Sequence, residues 1–229
     1  MTRTSLGFLL AAITLGAALD EKVLADGLSG AYLGGNFGRA RNSYDTGIID
    51  TQIEEVAASA DETLKFTARS VRRSSDAWWV NTGYFFTPYF GMDAAFFHIG
   101  EVKYLAVGKL SISGTGQPLS TATEVSSRGP ALSLIGRLPL TESFEADLRV
   151  GDYYGKAVLD NQITVGSKGV SLNSSKSSSS LLAGVGGAYT FGGHWSIRLD
   201  YLRVNQTGDT GTVGKFSVNL ATAGVSYTF

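Results

Sequence analysis

The chain has 229 residues, no cysteine, 17% charged residues and a formal net charge of −1. Those numbers exclude a disulfide framework and a cysteine-held metal, and they leave no basic surface for nucleic acid. The 29 glycines and 11% aromatic residues suit one small barrel with crowded interior positions and aromatic girdles, with no cofactor expected.

Met1 to Ser5 carry one charge, Arg3, ahead of a mostly apolar run from Leu6 to Leu19. That run is too short to span a bilayer comfortably as a helix. Val23-Leu24-Ala25 then places small or aliphatic residues where a signal peptidase reads. Residues 1–25 are expected to be a signal peptide cut between Ala25 and Asp26, leaving one domain over 26–229. No other apolar run reaches the ~18 residues of a transmembrane helix. A membrane location would therefore require a closed sheet, because an open edge cannot be satisfied in lipid.

Period-two alternation marks the strands. The first covers Gly30 to Arg39, with Leu33, Gly35 and Phe37 on one face and Tyr32, Gly34 and Asn36 on the other. A polar segment from Arg41 to Arg73 reads as a solvated loop, with at most a helical turn or two between Ile48 and Ala60. The second strand, Ser75 to Phe86, puts Trp78, Val80, Thr82, Tyr84 and Phe86 on one face. Thr87-Pro88 turns the chain, since proline belongs in a tight connection. The third strand, Tyr89 to about Ile99, has an apolar face of Phe90, Met92, Ala94 and Phe96, with Asp93 opposite. Gly100 to Ser127 reads as a second long loop.

The fourth strand runs from Gly129 to Leu138, and Pro139-Leu140-Thr141 is the turn. In the fifth, Glu142 to about Asp152, Phe144, Ala146, Leu148 and Val150 alternate with Glu145, Asp147, Arg149 and Gly151. Tyr153 to Ser178, with the serine run 174 to 180, reads as a third flexible loop. The sixth strand is Ser179 to Phe191, turned at Gly192-Gly193. The seventh, His194 to about Val204, alternates Trp195, Ile197, Leu199 and Tyr201 with Ser196, Arg198 and Asp200. A shorter loop, Gln206 to Gly214, leads to the last strand.

That last strand begins near Lys215 and stops on Phe229, with Tyr227, Val225, Ala223 and Ala221 sharing its apolar face. Eight strands joined by alternating long and short connections fit an up-and-down membrane barrel, whose long loops face outward and short turns face the periplasm. Tyr84, Phe86, Tyr89, Phe90, Phe144, Tyr189, Phe191, Trp195, Tyr227 and Phe229 lie beside the short turns or the C-terminus. They are expected to form an interfacial girdle. A soluble lipocalin-like barrel is the alternative fold, but it would leave the charges of the third, fifth and seventh strands coating its exterior.

Several stretches carry a family resemblance. Gly83-Tyr-Phe-Phe-Thr-Pro-Tyr-Phe-Gly-Met-Asp93, Gly136-Arg-Leu-Pro-Leu-Thr-Glu-Ser-Phe144 and Gly187-Ala-Tyr-Thr-Phe-Gly-Gly-His-Trp-Ser-Ile-Arg-Leu-Asp-Tyr201 occur in order, ahead of the terminal Phe229. Together they resemble the hairpins of the OmpA-type eight-stranded outer-membrane barrels. The resemblance implies a location in the bacterial outer membrane, contact with its lipid, and a C-terminal assembly signal at Phe229, Tyr227 and Val225 read by the barrel assembly machinery. Some members of that family carry a second domain that grips peptidoglycan. This chain ends at the barrel, so that role is not carried over.

The inward face holds Asp93, Arg137, Glu145, Asp147, Arg149, Arg198 and Asp200. An eight-stranded barrel is just wide enough for side chains to fill it, and charges there must pair or meet water. Counted up from the short turns, the spacing predicts Arg198 clustered with Asp147 and Asp93, and an Arg149–Asp200 pair. Such a network either fills the lumen or gates a narrow pore. An enzyme that modifies lipid A is the third alternative. However, His98 has no serine within two residues, and it does not match the lipid A deacylase pattern. His194 sits at a turn, and no HExxH, GxSxG or phosphate loop occurs.

The expected protein is an all-β, eight-stranded antiparallel up-and-down transmembrane β-barrel, monomeric and without catalytic activity. Its expected role is structural or surface-interacting, with long loops free to bind a ligand the sequence does not identify.

Overall fold

Nine strands make up the regular structure of the computed structural model, which describes residues 30–43, 63–112, 115–207 and 216–229. They are β1 Gly30–Asn42, β2 Thr63–Arg72, β3 Ser74–Thr87, β4 Phe90–Ile112, β5 Thr115–Pro139, β6 Phe144–Val165, β7 Lys168–Phe191, β8 Trp195–Thr207 and β9 Phe216–Thr228. Residues 1–25, the Ala25–Asp26 junction and the segment 48 to 60 lie outside the described residues.

Every pairing is antiparallel, and the sheet closes on itself. β1 pairs with β3 on one side and β9 on the other, from Tyr32↔Thr228 to Asn42↔Val218. The amide of Phe229 adds one more bond, donating to the Ala31 carbonyl at 2.9 Å. Pairing of β4 with β5 completes the ring, so no membrane-level edge is left open.

Nine strands replace the expected eight because residues 63–72 are not loop. β2 pairs with the upper part of β4, from Arg72↔Lys103 to Thr63↔Ser111, while β3 pairs with the lower part, from Ala77↔Ile99 to Thr87↔Phe90. Arg73 alone separates β2 from β3, so the two form one interrupted stave and the barrel keeps eight staves. β4 has its own irregularity at that level, between Ile99 and Val102. Above it the inward positions of β4 switch from odd to even numbers, and Val102, Tyr104 and Ala106 turn inward.

A second difference concerns the segments Gly100 to Ser127 and Tyr153 to Ser178, which the sequence reads as loops. They are the outer halves of β4, β5, β6 and β7. These strands run 23, 25, 22 and 24 residues, about twice the ~9–11 a tilted strand needs to cross a bilayer. Two hairpins therefore continue the barrel wall outward; Gly166, at φ 58°, turns the β6–β7 hairpin.

The short turns fall where expected, and two of the three share a device. The hydroxyl of Thr87 accepts from the amides of Tyr89 and Phe90, at 3.2 and 3.0 Å. The hydroxyl of Thr141 accepts from Ser143 and Phe144, at 3.3 and 2.9 Å. Threonine side chains commonly nucleate turns this way. Gly192 and Gly193 take positive φ in the third turn.

Alternation sorts the side chains as the sequence implies. Leu33, Phe37, Leu134, Leu148, Ile197, Leu199 and Val225 are exposed on the outside, where lipid covers them. Of the expected girdle, Phe86, Tyr89, Phe90, Phe144, Tyr189, Phe191, Trp195 and Phe229 are exposed. Tyr227 packs edge-on against both Trp195 and Phe229.

Candidate functional site in the barrel lumen

All seven charged residues read from the sequence point inward and are buried or nearly so. Their pairing matches the predicted one at Arg198–Asp147 and differs at Asp93 and Asp200. Arg198 meets Asp147 at 2.6 Å, Asp200 at 3.2 Å and Glu145 at 3.8 Å. Glu145 is shared with Arg137, at 3.0 Å. Asp93, assigned from the sequence to Arg198, instead pairs with Arg149. Asp200, assigned to Arg149, falls to Arg198.

Strand tilt and shear explain the exchange. Counting residues up from each turn treats the strands as upright. In the sheet, Asp147 is opposite Gly186, and Gly186 is opposite Asp200. The two carboxylates thus flank one glycine. A Cβ there would lie 2.5 Å from Asp200 Oδ1 and 2.9 Å from Asp147 Oδ1, so only glycine leaves space for both. Arg198, two residues below Asp200 on β8, reaches up between them. Arg149 crosses the width of β5 to Asp93, passing the small Ser133 that lies opposite Asp93.

The upper ion pair has polar company that the sequence reading missed. Tyr32 donates its hydroxyl, and Asn81 its amide, to Asp93 Oδ2, each at 3.0 Å. The Arg149 guanidinium lies 4.9 Å from the centroid of Trp79, and that of Arg137 lies 3.4 Å from the centroid of Phe85. Both are cation–π arrangements, which gain strength when desolvated. Trp79 in turn donates its indole N–H to Thr222 Oγ1 at 3.3 Å.

An apolar layer sits against this charged one. Trp79 and Phe97 stack at 5.2 Å, and Tyr153 meets Phe97 edge-on at 5.9 Å. Ile99, Leu182, Leu202, Val204 and Leu220 join them, all fully buried. Tyr153 keeps its hydroxyl satisfied by Ser127 Oγ, at 2.9 Å. The sequence carries a sign of this layer in three aromatic doublets, Trp78-Trp79, Phe96-Phe97 and Tyr153-Tyr154. Each sends one ring outward and one inward, and the inward ring has no exposed surface.

The two histidines are apart and differently engaged. His98 stacks on Trp78 at 5.5 Å on the outer surface of the barrel. His194, in the β7–β8 turn, places Nδ1 2.9 Å from the Thr228 carbonyl oxygen and stacks on Tyr227. His98 lines a groove with Ser74, Ser75 and Asp76, but among the described residues no hydrogen bond joins either histidine ring to a hydroxyl, the nucleophile–base contact that hydrolytic chemistry uses.

Comparison with known proteins places this architecture. A family model described as the OmpA-like transmembrane domain matches residues 30–229. The chain is 35% identical over 92 residues to outer membrane protein A of Serratia odorifera, covering 40% of this chain and 37% of that protein. The matched stretch thus spans little more than a third of that relative. Among solved structures, Neisserial surface protein A is 13% identical, with a TM-score of 0.42 over 87% of this chain and 97% of that one. Ail of Yersinia pestis is 14% identical, with a TM-score of 0.43 over 87% and 99%.

Proposed function

The chain belongs to the OmpA-like transmembrane domain family and is a bacterial outer-membrane β-barrel; from that premise we propose that it acts as a closed structural barrel. Its interaction surface is the outer wall, and its lumen neither conducts nor catalyses. The observation that carries this reading is the doubly filled interior. The charged layer from Arg198 to Arg149 is backed by the Trp79–Phe97–Tyr153 layer, whose side chains are fully buried. An ion crossing the barrel would have to shed its water inside an apolar, low-dielectric layer, which is very costly. Rearranging the ion pairs alone would not open a path, because the aromatic layer contains no charge to exchange. This sets the reading against the narrow pore. Against a lipid-modifying enzyme stands the engagement of both histidines with aromatic rings, with no hydrogen bond from either ring to a hydroxyl among the described residues.

The outer wall formed by β2 and the upper halves of β4 to β7 is the part with room for a partner. It stands on a rigid scaffold, where function is most often carried. Conductance across a planar bilayer tests the proposal. The inserted barrel is expected to stay electrically silent, with folding verified by the mobility shift between unheated and boiled samples. Discrete, reproducible current steps that change in Arg198→Ala would overturn it and make the charged layer a conduit.

A further inference from the structure

The charges of the lumen do not balance. Among the described residues its charged layer holds three guanidiniums, Arg137, Arg149 and Arg198, against four carboxylates, Asp93, Glu145, Asp147 and Asp200. The upper pair, Arg149 with Asp93, is matched one to one. The surplus therefore falls in the lower part, where Arg137 and Arg198 face Glu145, Asp147 and Asp200. The Trp79–Phe97–Tyr153 layer closes the lumen above it. The unmatched negative charge thus sits where an isolated ion is very costly.

Two adjacent cross-strand rows locate this surplus. The lower row runs from Asn36 on β1 through Gly224 on β9 to Arg198 on β8. The upper row runs from Asp200 on β8 through Gly186 on β7 to Asp147 on β6. Arg198 takes one oxygen of each aspartate, Asp147 Oδ2 and Asp200 Oδ1. The other two, Asp147 Oδ1 and Asp200 Oδ2, are buried and accept no hydrogen bond. Asn36 adds an observation independent of the carboxylates. It is 5% exposed, and neither its Oδ1 nor its Nδ2 has a hydrogen-bond partner. A Cβ at Gly224 would overlap Asn36 Oδ1, so the amide lies across that glycine, toward the strand that carries Arg198 and Asp200. The upper part of the layer also has unpartnered atoms, but its charges balance and it needs no counter-ion.

We propose that the lumen binds one sodium ion, held by Asp147, Asp200 and the side-chain carbonyl of Asn36. Hard cations take oxygen ligands, and carboxylate and amide oxygens supply them here. The charge count selects the valence. One positive charge makes the layer neutral, whereas a divalent ion would leave it equally unbalanced with the opposite sign. The two glycines give the ligands their room, since a Cβ at Gly186 would crowd both aspartates. Entry is from the periplasmic end, where the Arg137 and Glu145 side chains keep 10% and 11% of their surface exposed. The ion is resident and not in transit, so its test is separate from that of conductance.

Thermal unfolding of the protein in zwitterionic detergent reads the ion by mass action. Sodium chloride is exchanged for choline chloride at constant ionic strength, choline being too large for the site. The wild-type midpoint should rise with sodium and level off, by about 2–4 °C once sodium exceeds its dissociation constant several-fold. Asp147→Asn and Asp200→Asn each bring the layer to three charges of either sign, and each should lose the sodium dependence. Asp152→Asn, which neutralises an exposed carboxylate outside the lumen, should keep it. Sodium-23 NMR reads binding without unfolding: the line should broaden with wild type and not with the Asp147 or Asp200 variant. A flat wild-type midpoint, a dependence that survives in both lumen variants, or its loss in Asp152→Asn would each overturn the site. A wild-type midpoint that follows pH alike in both salts and ignores sodium would assign the missing charge to a proton and sink the inference.

Discussion

Arg198 is where the lumen's charges converge, because three carboxylates lie within 4 Å of it and two of them flank Gly186. Replacing it with alanine leaves Asp147 and Asp200 buried without a cation. Breaking a buried pair in this way typically costs about 3–5 kcal/mol. Urea unfolding in detergent should show that loss for Arg198→Ala. Arg39→Ala is the contrast: its partner Asp76 lies at 3.2 Å, but both side chains are more than half exposed. A surface pair contributes only about 0–1 kcal/mol, so that variant should unfold close to wild type. Equal losses in the two would mean that the lumen network does not carry the stability argued for it. A steric prediction stands beside this electrostatic one. A Cβ at Gly83 would come within 2.6 Å of the Tyr32 ring and 2.7 Å of Asp93 Cβ. Gly83→Ala should therefore destabilise by about 1–3 kcal/mol, the usual cost of overpacking. At this scale the sequence revealed which residues point inward and one pairing, Arg198 with Asp147, but not the partners of Asp93 and Asp200. Alternation is a property of one strand. The meeting of Arg149 with Asp93 depends on the stagger among β4, β5 and β6, which no single strand records.

The strands show where alternation runs out as a signal. Near the membrane, β8 reads clearly because Trp195, Ile197, Leu199 and Tyr201 face lipid while Arg198 and Asp200 face the lumen. In the outer half of β7, serines occupy positions on both faces, and the pattern Ser174 to Ser180 looks like a flexible linker. Those serines pair residue by residue with β6, from Leu159↔Ser174 to Tyr153↔Ser180. The ladder comes from main-chain bonds, which need no apolar face. β2 was hidden for the same reason and by its brevity. The outer hairpins also hold side-chain clasps. The hydrogen bond from Lys103 to Glu124, seconded by Glu101, keeps that ammonium above the usual lysine range. Because the folded value is the raised one, the contribution is complete below the ordinary lysine pKa and is lost as pH rises through the raised value. Neutral conditions should leave the hairpin clasped. Since these extensions lie beyond the membrane-crossing length, the barrel should form without the tip of the β6–β7 hairpin. Replacing residues 162–171 with Asn-Gly joins Asn161 to Leu172, which already face each other, through a favoured two-residue turn. The shortened protein should keep its resistance to SDS before heating. Loss of that resistance would show that the outer wall is needed to close the barrel.

At the scale of the whole molecule, ring closure by the last strand and the assembly signal expected of its terminus are separable by experiment. β9 closes the ring against β1, and that closure rests on the full ladder from Tyr32↔Thr228 to Asn42↔Val218. Phe229 itself adds little to it. The residue is 59% exposed, its ring touches Tyr227 edge-on at 5.2 Å, and its amide makes one bond to Ala31. One hydrogen bond contributes a net ~1 kcal/mol and one aromatic contact ~0.5–1.5 kcal/mol. Deleting Phe229 should therefore shift the unfolding midpoint of refolded protein only modestly. The assembly reading of Phe229, Tyr227 and Val225 predicts a much larger effect in cells, where the strand must first be recognised before it can pair. The measurement is a ratio: the yield of folded barrel refolded from urea into micelles against the yield recovered from outer membranes. A near-normal first value with a collapsed second one separates recognition from closure. If both fall together, Phe229 acts through the barrel's own stability, and the address is not carried by the terminal ring.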